Sequence, residues 1–411
     1  MKYTDIIKNS KTSDSVHFSL VIFPLVWLYA GMMWIPQGNK PLVVLVLLSF
    51  FSVLFIEGPK KLFERVRNNT WFWIVAISSI FAIASYQFHG YSSQEIRALL
   101  VALFFLFLCS SQRISLLNIQ WLCVISSLSS FILSVIHTFY LDSGRGGLPT
   151  NAIPLATHQG FLALSLLGVL CVNFVGKNKP VILLSVLCLI FSMLVTESRG
   201  PILALALVSL IILSIFFLKG ESSRYTKISM AIALASVVFL SFDFLGSRID
   251  QTFIELDRIR HNDLDSSIGL RMQMYMAGWE VFKLYPMFGS GEIRIEDINH
   301  LGLTDLGMQF ATHSHLHNNF IDKLATSGLL GFTLLSIFFI YPIYYAFKYS
   351  GKYYPIILYP TLFWGSLCLT DAPFRNGDTA VLYFISIGLF ISAIKLESRN
   401  ENTLLSKTPN S

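Results

Sequence analysis

Apolar residues in this chain do not alternate and seldom form one-sided stripes; they come in long runs separated by short polar breaks. A membrane-spanning helix needs about 20 mostly apolar residues. That ruler predicts spans over 18–36, 41–57, 70–88, 97–110, 116–141, 158–175, 181–196, 201–218, 228–245, 326–347, 354–370 and 379–394. The seventh and eighth are separated only by Glu197-Ser198-Arg199-Gly200. The first run, from Phe18 to Ile35, is long enough to span, so it reads as a helix of the protein and not as a cleavable signal. The expected fold is an all-α polytopic membrane protein with about 12 spans. Its expected parts are a nine-span region over 1–245, a loop over 246–325, three spans within 326–394 and a tail over 395–411.

The 246–325 segment is the one soluble-like stretch, and it is too long for a plain connection. Met272, Tyr275, Met276, Trp279 and Phe282 recur at helical spacing before Pro286 stops the run. Ser266 or Ser267 is placed to cap that helix. Phe320, Ile321 and Leu324 form a second stripe. The pattern predicts two amphipathic helices lying on the membrane–water interface.

Composition supports the membrane class. Of 411 residues, 54% are hydrophobic and 13% charged, against about 25% charged in a soluble domain. Mean hydropathy is +0.62. The net charge of +6 does not point to nucleic acid, because the basic residues follow topology. With the N-terminus inside, 18 of the 30 Lys and Arg fall in cytoplasmic segments, as the positive-inside rule requires. The short outer loops hold one each: Lys40, Arg97, Arg145, Arg199 and Arg375. The even span count returns the C-terminus to the cytoplasm. Cys109, Cys123, Cys171, Cys188 and Cys368 all sit in apolar runs without a CxxC pair and read as small buried hydrophobes.

Twelve spans also suit a lipid or sugar transporter, but the polar residues a carrier needs inside its spans are scarce here. Glu57, His137 and Asp243 lie near span ends, and Asn173 is the main expected buried amide. The outer loops are richer in chemistry. Arg199 reads either as a snorkelling arginine paired with Glu197 or as an anion clamp, a rigid donor fork for phosphate oxygens. Arg271 opens the first amphipathic helix, as a solvated flank charge or as a ligand for lipid phosphate. Tyr285 to Gly291 reads as a turn-rich shape element. His313, His315 and His317 form an H-x-H-x-H run. Zinc is one reading, but that spacing shares a face only in an extended strand, and no adjacent carboxylate completes a site. One histidine acting as a general base is the simpler reading. Asp263-Leu264-Asp265 matches a short metal motif of sugar transferases, yet it precedes a helix, where Asp is favourable with the helix dipole.

These pieces resemble the O-antigen ligase family. The features are the span plan with one large loop between spans nine and ten, the Thr196–Gly200 arginine motif, and the Arg271…Trp279…Pro286…Gly289-Ser290-Gly291 stretch. The most specific is His317-Asn318 followed after nine residues by Gly328-Leu329-Leu330-Gly331. The resemblance implies transfer of a glycan from undecaprenyl diphosphate to lipid A-core oligosaccharide at the periplasmic face of a bacterial inner membrane, without ATP, metal or other cofactor, and with inversion. It implies that Arg199 and Arg271 bind the donor diphosphate and that His317 is the catalytic base. His313, His315, Asn318, Gly328 and Gly331 are expected in supporting roles. O-antigen polymerases share the domain, so a polymerase using the same donor is the alternative. At helical spacing with Ser327, Gly328 and Gly331 are expected to let the tenth span pack closely.

Overall fold

The structure is a computed structural model, and it describes residues 18–90, 92–109, 114–141, 147–172, 178–219, 242–313 and 315–405. Among these residues every regular element is helical. Six helices are long and apolar enough to cross a membrane: Asn39–Glu57, Thr70–His89, Leu116–Tyr140, Ala152–Cys171, Asn319–Tyr349 and Gly377–Glu401. Phe18–Trp34, Lys179–Val195 and Arg199–Ile215 are shorter apolar helices. Two further predicted spans are the helices Ser93–Leu108 and Tyr354–Leu367. The protein is thus an all-α polytopic membrane protein. Most of the predicted ninth span, and Asn173, lie outside the described residues.

Burial separates the centre of the bundle from its rim. In Ala152–Cys171 and Gly377–Glu401, 83% of the most apolar window is buried, against 28% in Asn39–Glu57. Aromatic rings fill the centre, with Trp71, Phe161, Phe338, Trp364, Phe374, Tyr383 and Phe384 in mutual edge or stacked contact. Two polar tips are satisfied on backbone: Trp71 Nε1 donates to Phe384 O at 2.9 Å, and Tyr383 Oη to Phe338 O at 2.8 Å, whereas the buried Trp364 Nε1 has no hydrogen-bond partner among the described residues. Polar side chains inside the bundle are less scarce than the sequence suggests. Gln120, His158 and Gln159 are all buried in helices. They are tolerated because they face the protein interior and not lipid.

The 246–325 segment builds a small core of its own from Met274, Ala277, Val281, Ile293, Ile298, Ala311, Leu316 and Ala325. It holds more helix than two amphipathic elements: Phe242–Arg260, Ser267–Leu284, the short Ile295–Ile298, and Asp305–His313. Ser266 is the cap, its hydroxyl accepting from Gly269 N at 3.1 Å. The Ser267–Leu284 helix is apolar on two sides. Met274, Ala277 and Val281 enter the small core, while Met272, Met276 and Trp279 from the predicted stripe remain exposed.

The second predicted amphipathic helix is not separate. Asn319–Tyr349 is one helical run broken at Gly328, whose φ of 62° and ψ of −163° leave helix geometry. The break is filled by the chain from Pro286 to Gly291. Ser290 N and Gly291 N donate to Ala325 O and Thr326 O, both at 3.0 Å, and Leu329 N donates to Pro286 O at 2.8 Å. Those bonds satisfy the groups that the break strips of helical partners. Gly328 therefore serves a backbone-to-backbone approach and not the helix–helix packing expected of it. A Cβ there would lie 2.4 Å from Met287 C. A Cβ on Gly331 would meet first the Ser327 side chain of the same run, at 2.1 Å, and then Phe81 of the Thr70–His89 helix, at 3.5 Å.

Gly328→Ala combines a clash with a conformation nearly restricted to glycine, which costs about 1–3 kcal/mol before the clash is counted. It is expected to lower the thermal midpoint of the detergent-solubilised protein well below that of Gly302→Ala. Gly302 also has positive φ, 65°, but nothing lies within 4 Å of its Cβ position. Equal midpoints for the two variants would show that the docked break contributes nothing.

Candidate active site

The signature histidine lies on a tight elbow. The Asp305–His313 helix ends, and after five intervening residues the Asn319–Tyr349 helix begins under the Asn318 cap. Asn318 Oδ1 accepts from Phe320 N at 3.0 Å and Ile321 N at 3.2 Å, satisfying first-turn donors. His317, just before the cap, has φ of +50°. A non-glycine residue holds that left-handed conformation only where its surroundings impose it. Here Tyr275 Oη donates to His317 O at 3.2 Å, and Leu316 N donates to Asp322 Oδ1 at 3.3 Å.

The loop after Tyr354–Leu367 closes over this elbow. Asn319 N donates to Cys368 O at 2.8 Å, Asn318 Nδ2 to Leu369 O at 3.3 Å, and Phe374 N to Asn319 Oδ1 at 3.1 Å. Arg375 Nη1 pairs with the buried Asp322 carboxylate at 3.2 Å. Below the elbow, Lys323 makes a buried ion pair with Glu95 of the Ser93–Leu108 helix at 2.6 Å.

This clamp delivers Asp371 to the histidines. His315 Nε2 lies 3.0 Å and His317 Nδ1 3.3 Å from the same oxygen, Asp371 Oδ1. The two rings are 4.4 Å apart between centroids. Burial pushes the Asp371 carboxyl up, but hydrogen bonds from His315 and His317 outweigh it and hold the group well below the usual carboxylate range. An ionised carboxylate only accepts, so each imidazole nitrogen facing it must carry a proton. The consequence differs between the rings. His317 donates through Nδ1 and keeps Nε2 as its basic nitrogen, whereas His315 donates through Nε2. Carboxylate-fixed tautomers of the His317 kind are how a histidine is oriented for proton abstraction.

The paired histidines therefore meet without an extended strand, and the carboxylate missing from the sequence neighbourhood arrives from 54 residues away. Ligand atoms of His315, His317 and Asp371 lie within 4.8 Å of one another, and two imidazoles with one carboxylate form a donor set that zinc accepts. His313 ends its helix, and its side chain lies outside the described residues. Asp263 and Asp265 are engaged elsewhere. Asp263 pairs with Arg258 at 2.8 Å, and Asp265 Oδ1 accepts from Thr304 Oγ1 at 2.5 Å.

The two arginines stand on different elements that approach the cluster. Arg199 is exposed at the start of the Arg199–Lys219 helix, and its Nη2 donates to Gln251 Oε1 at 3.3 Å. The adjacent Gly200 is packed against Thr370, with 3.0 Å between its Cβ position and Thr370 Oγ1, and Thr370 precedes Asp371. Arg271 lies one helical turn before Tyr275. The Tyr275 hydroxyl is raised by burial, and the Arg271 charge works against that rise. Tyr275 thus stands between Arg271 and the backbone of His317. Asp371, Tyr275, Asp322 and Arg375 are site residues that the sequence reading missed. Tyr275 was visible only as part of an apolar stripe, and Arg375 only as an outer-loop charge.

The family model described as O-antigen ligase matches residues 184–336. That stretch includes Arg199, Arg271, His317, Gly328 and Gly331 and stops before Asp371. An O-antigen ligase of Escherichia coli (strain K12) is 27% identical over 173 residues, 40% of this chain and 41% of that protein. The chain thus matches less than half the length of this curated relative.

Proposed function

We propose, from the premise that residues 184–336 are an O-antigen ligase domain, that this protein is an inverting glycosyltransferase. In this reading it moves O-antigen polysaccharide from undecaprenyl diphosphate to lipid A-core oligosaccharide at the periplasmic face of the inner membrane. The observation that carries the reading is the Asp371–His317 pair, whose geometry leaves His317 Nε2 as a base. An acceptor sugar hydroxyl is a poor nucleophile and needs such a base within hydrogen-bond reach. It loses its proton to Nε2 as its oxygen attacks the anomeric carbon from the face opposite the diphosphate. The bond to the diphosphate breaks, and its charge falls on Arg199 and Arg271, whose guanidinium forks suit phosphate oxygens. Asp371 stabilises the imidazolium formed in the step. Both termini lie in the cytoplasm in this topology.

Deleting the gene tests the reading in cells. Ligase loss leaves glycan on the lipid carrier and lipid A-core uncapped. Capping that persists with single repeat units would instead indicate a polymerase.

In this reading the step needs no metal, because two arginines take the leaving charge. Chelation with EDTA is expected to leave transfer by the purified protein unchanged. Activity lost with EDTA and restored by zinc would recast His315, His317 and Asp371 as ligands; restoration by magnesium or manganese would return attention to Asp263 and Asp265.

A further inference from the structure

The histidine cluster also has the geometry of a metal site. His315 Nε2 and His317 Nδ1 converge on one carboxylate oxygen, Asp371 Oδ1, at 3.0 and 3.3 Å. The ligand atoms of the three residues all lie within 4.8 Å of one another. Ligand atoms about 2.0–2.2 Å from a tetrahedral zinc stand about 3.3–3.6 Å apart, so small shifts at the two Asp371 contacts admit an ion. Among the described residues no other three such ligands come together. The pairs His261–Asp257 and His300–Glu280 gain no third described member.

The three ligands are held in place by the protein itself. Asn319 N donates to Asp371 O at 3.2 Å as well as to Cys368 O, which fixes the loop carrying the carboxylate. The Ala372 backbone N–H bonds that carboxylate, and Tyr275 Oη bonds the His317 backbone. Outer partners of this kind orient ligands and set the affinity of a metal site. Side-chain exposures of 38% for His315, 25% for His317 and 13% for Asp371 leave the cluster open to solution. Three protein ligands leave a fourth position to water. Two imidazoles favour zinc over magnesium and manganese, which prefer oxygen ligands.

An ion at this point acts on the base through its tautomer. Without it, each ring turns a protonated nitrogen to Asp371. Zinc takes the lone pair of that nitrogen, which must first be free of its proton. Each ring stays neutral and carries its single proton on the opposite nitrogen. On His317 the opposite nitrogen is Nε2. The proton moves from Nδ1 to Nε2, and the atom that was to accept the hydroxyl proton becomes a donor.

We propose that His315, His317 and Asp371 bind a Zn²⁺ ion that reversibly switches transfer off by forcing the His317 proton onto Nε2. The inference rests on the base reading of His317, but its binding half does not need turnover. The full chain, purified in detergent with any affinity tag removed, is dialysed against zinc chloride and assayed for bound zinc and for transfer. Wild type is expected to hold about one ion per chain, with imidazole nitrogens at about 2.0–2.1 Å in the zinc X-ray absorption spectrum. It is expected to lose transfer as the site fills and to regain it with EDTA. Magnesium chloride is expected to do neither. His315→Ala keeps the base and loses a ligand. It is expected to need at least about tenfold more zinc for half-filling and half-inhibition, since even outer partners of a metal cost about 10–100-fold in affinity. His315→Gln, whose amide still donates to Asp371, serves in its place if the alanine variant does not fold. Wild-type transfer that ignores zinc or rises with it would overturn the proposal, as would inhibition that both His315 variants retain. Zinc bound at these ligands in a protein that transfers no glycan even in EDTA would instead overturn the transferase reading and leave the metal site standing.

Discussion

His317→Ala is expected to leave the protein inserted and binding lipid-linked donor while slowing transfer about 10²–10⁴-fold, the usual contribution of a general base. Asp371→Asn is expected to approach the same loss. An amide presents an NH₂ as readily as an oxygen, so it no longer dictates that His317 keeps its proton on Nδ1, 3.3 Å away. His315→Ala removes one of the two imidazole hydrogen bonds to Asp371 and no base, so it is expected to cost less than either. Transfer is expected to fall on the acid side, because a protonated imidazole cannot accept the hydroxyl proton. Donor binding measured beside turnover separates the roles. Collapsed donor binding in His317→Ala, with residual turnover keeping the wild-type pH dependence, would make His317 a binding residue.

Removing either arginine is expected to be the next largest effect. Arg199→Ala and Arg271→Ala each delete a charged partner of the diphosphate, worth about 1.5–3 kcal/mol, or about 10- to 150-fold in rate. Lysine is expected not to rescue either position, since a point charge cannot reproduce a planar two-pronged donor. Arg199 is the sharper case, because it is exposed at the start of its helix. Normal capping by Arg199→Ala at matched protein levels would remove it from the donor site.

The membrane class was legible because a span announces itself by length and apolarity alone. The elbow was half legible. Asn318 followed by a helical stripe marks a cap, and Gly328 marks a break, but the sequence does not show that the chain from Pro286 to Gly291 fills it. Helix packing was expected of that glycine because helical spacing is what a sequence displays; the contact it makes is with backbone about 40 residues away. Asp371 was not legible at all. It lies in a short loop between two spans, 54 residues beyond His317, and only the clamp of Asn318 and Asn319 onto residues 368–374 makes them neighbours. The histidine run invited a strand reading because a spacing of two implies alternation, whereas a left-handed His317 turns both rings to one carboxylate. Arg199 and Arg271 were found by residue type and motif; the approach of their elements to the cluster, through Gly200 and Tyr275, needed the fold.

The proposed reaction joins a lipid-linked glycan to lipid A-core with the protein's own residues as catalysts. The most direct measurement combines the purified protein with undecaprenyl-diphosphate-linked O-antigen and lipid A-core in detergent, following both lipids over time. Glycan is expected to leave the carrier and appear on lipid A-core with inverted anomeric configuration, in wild type and not in His317→Ala. Longer chains on the carrier with lipid A-core untouched, or equal transfer by both proteins, would contradict it.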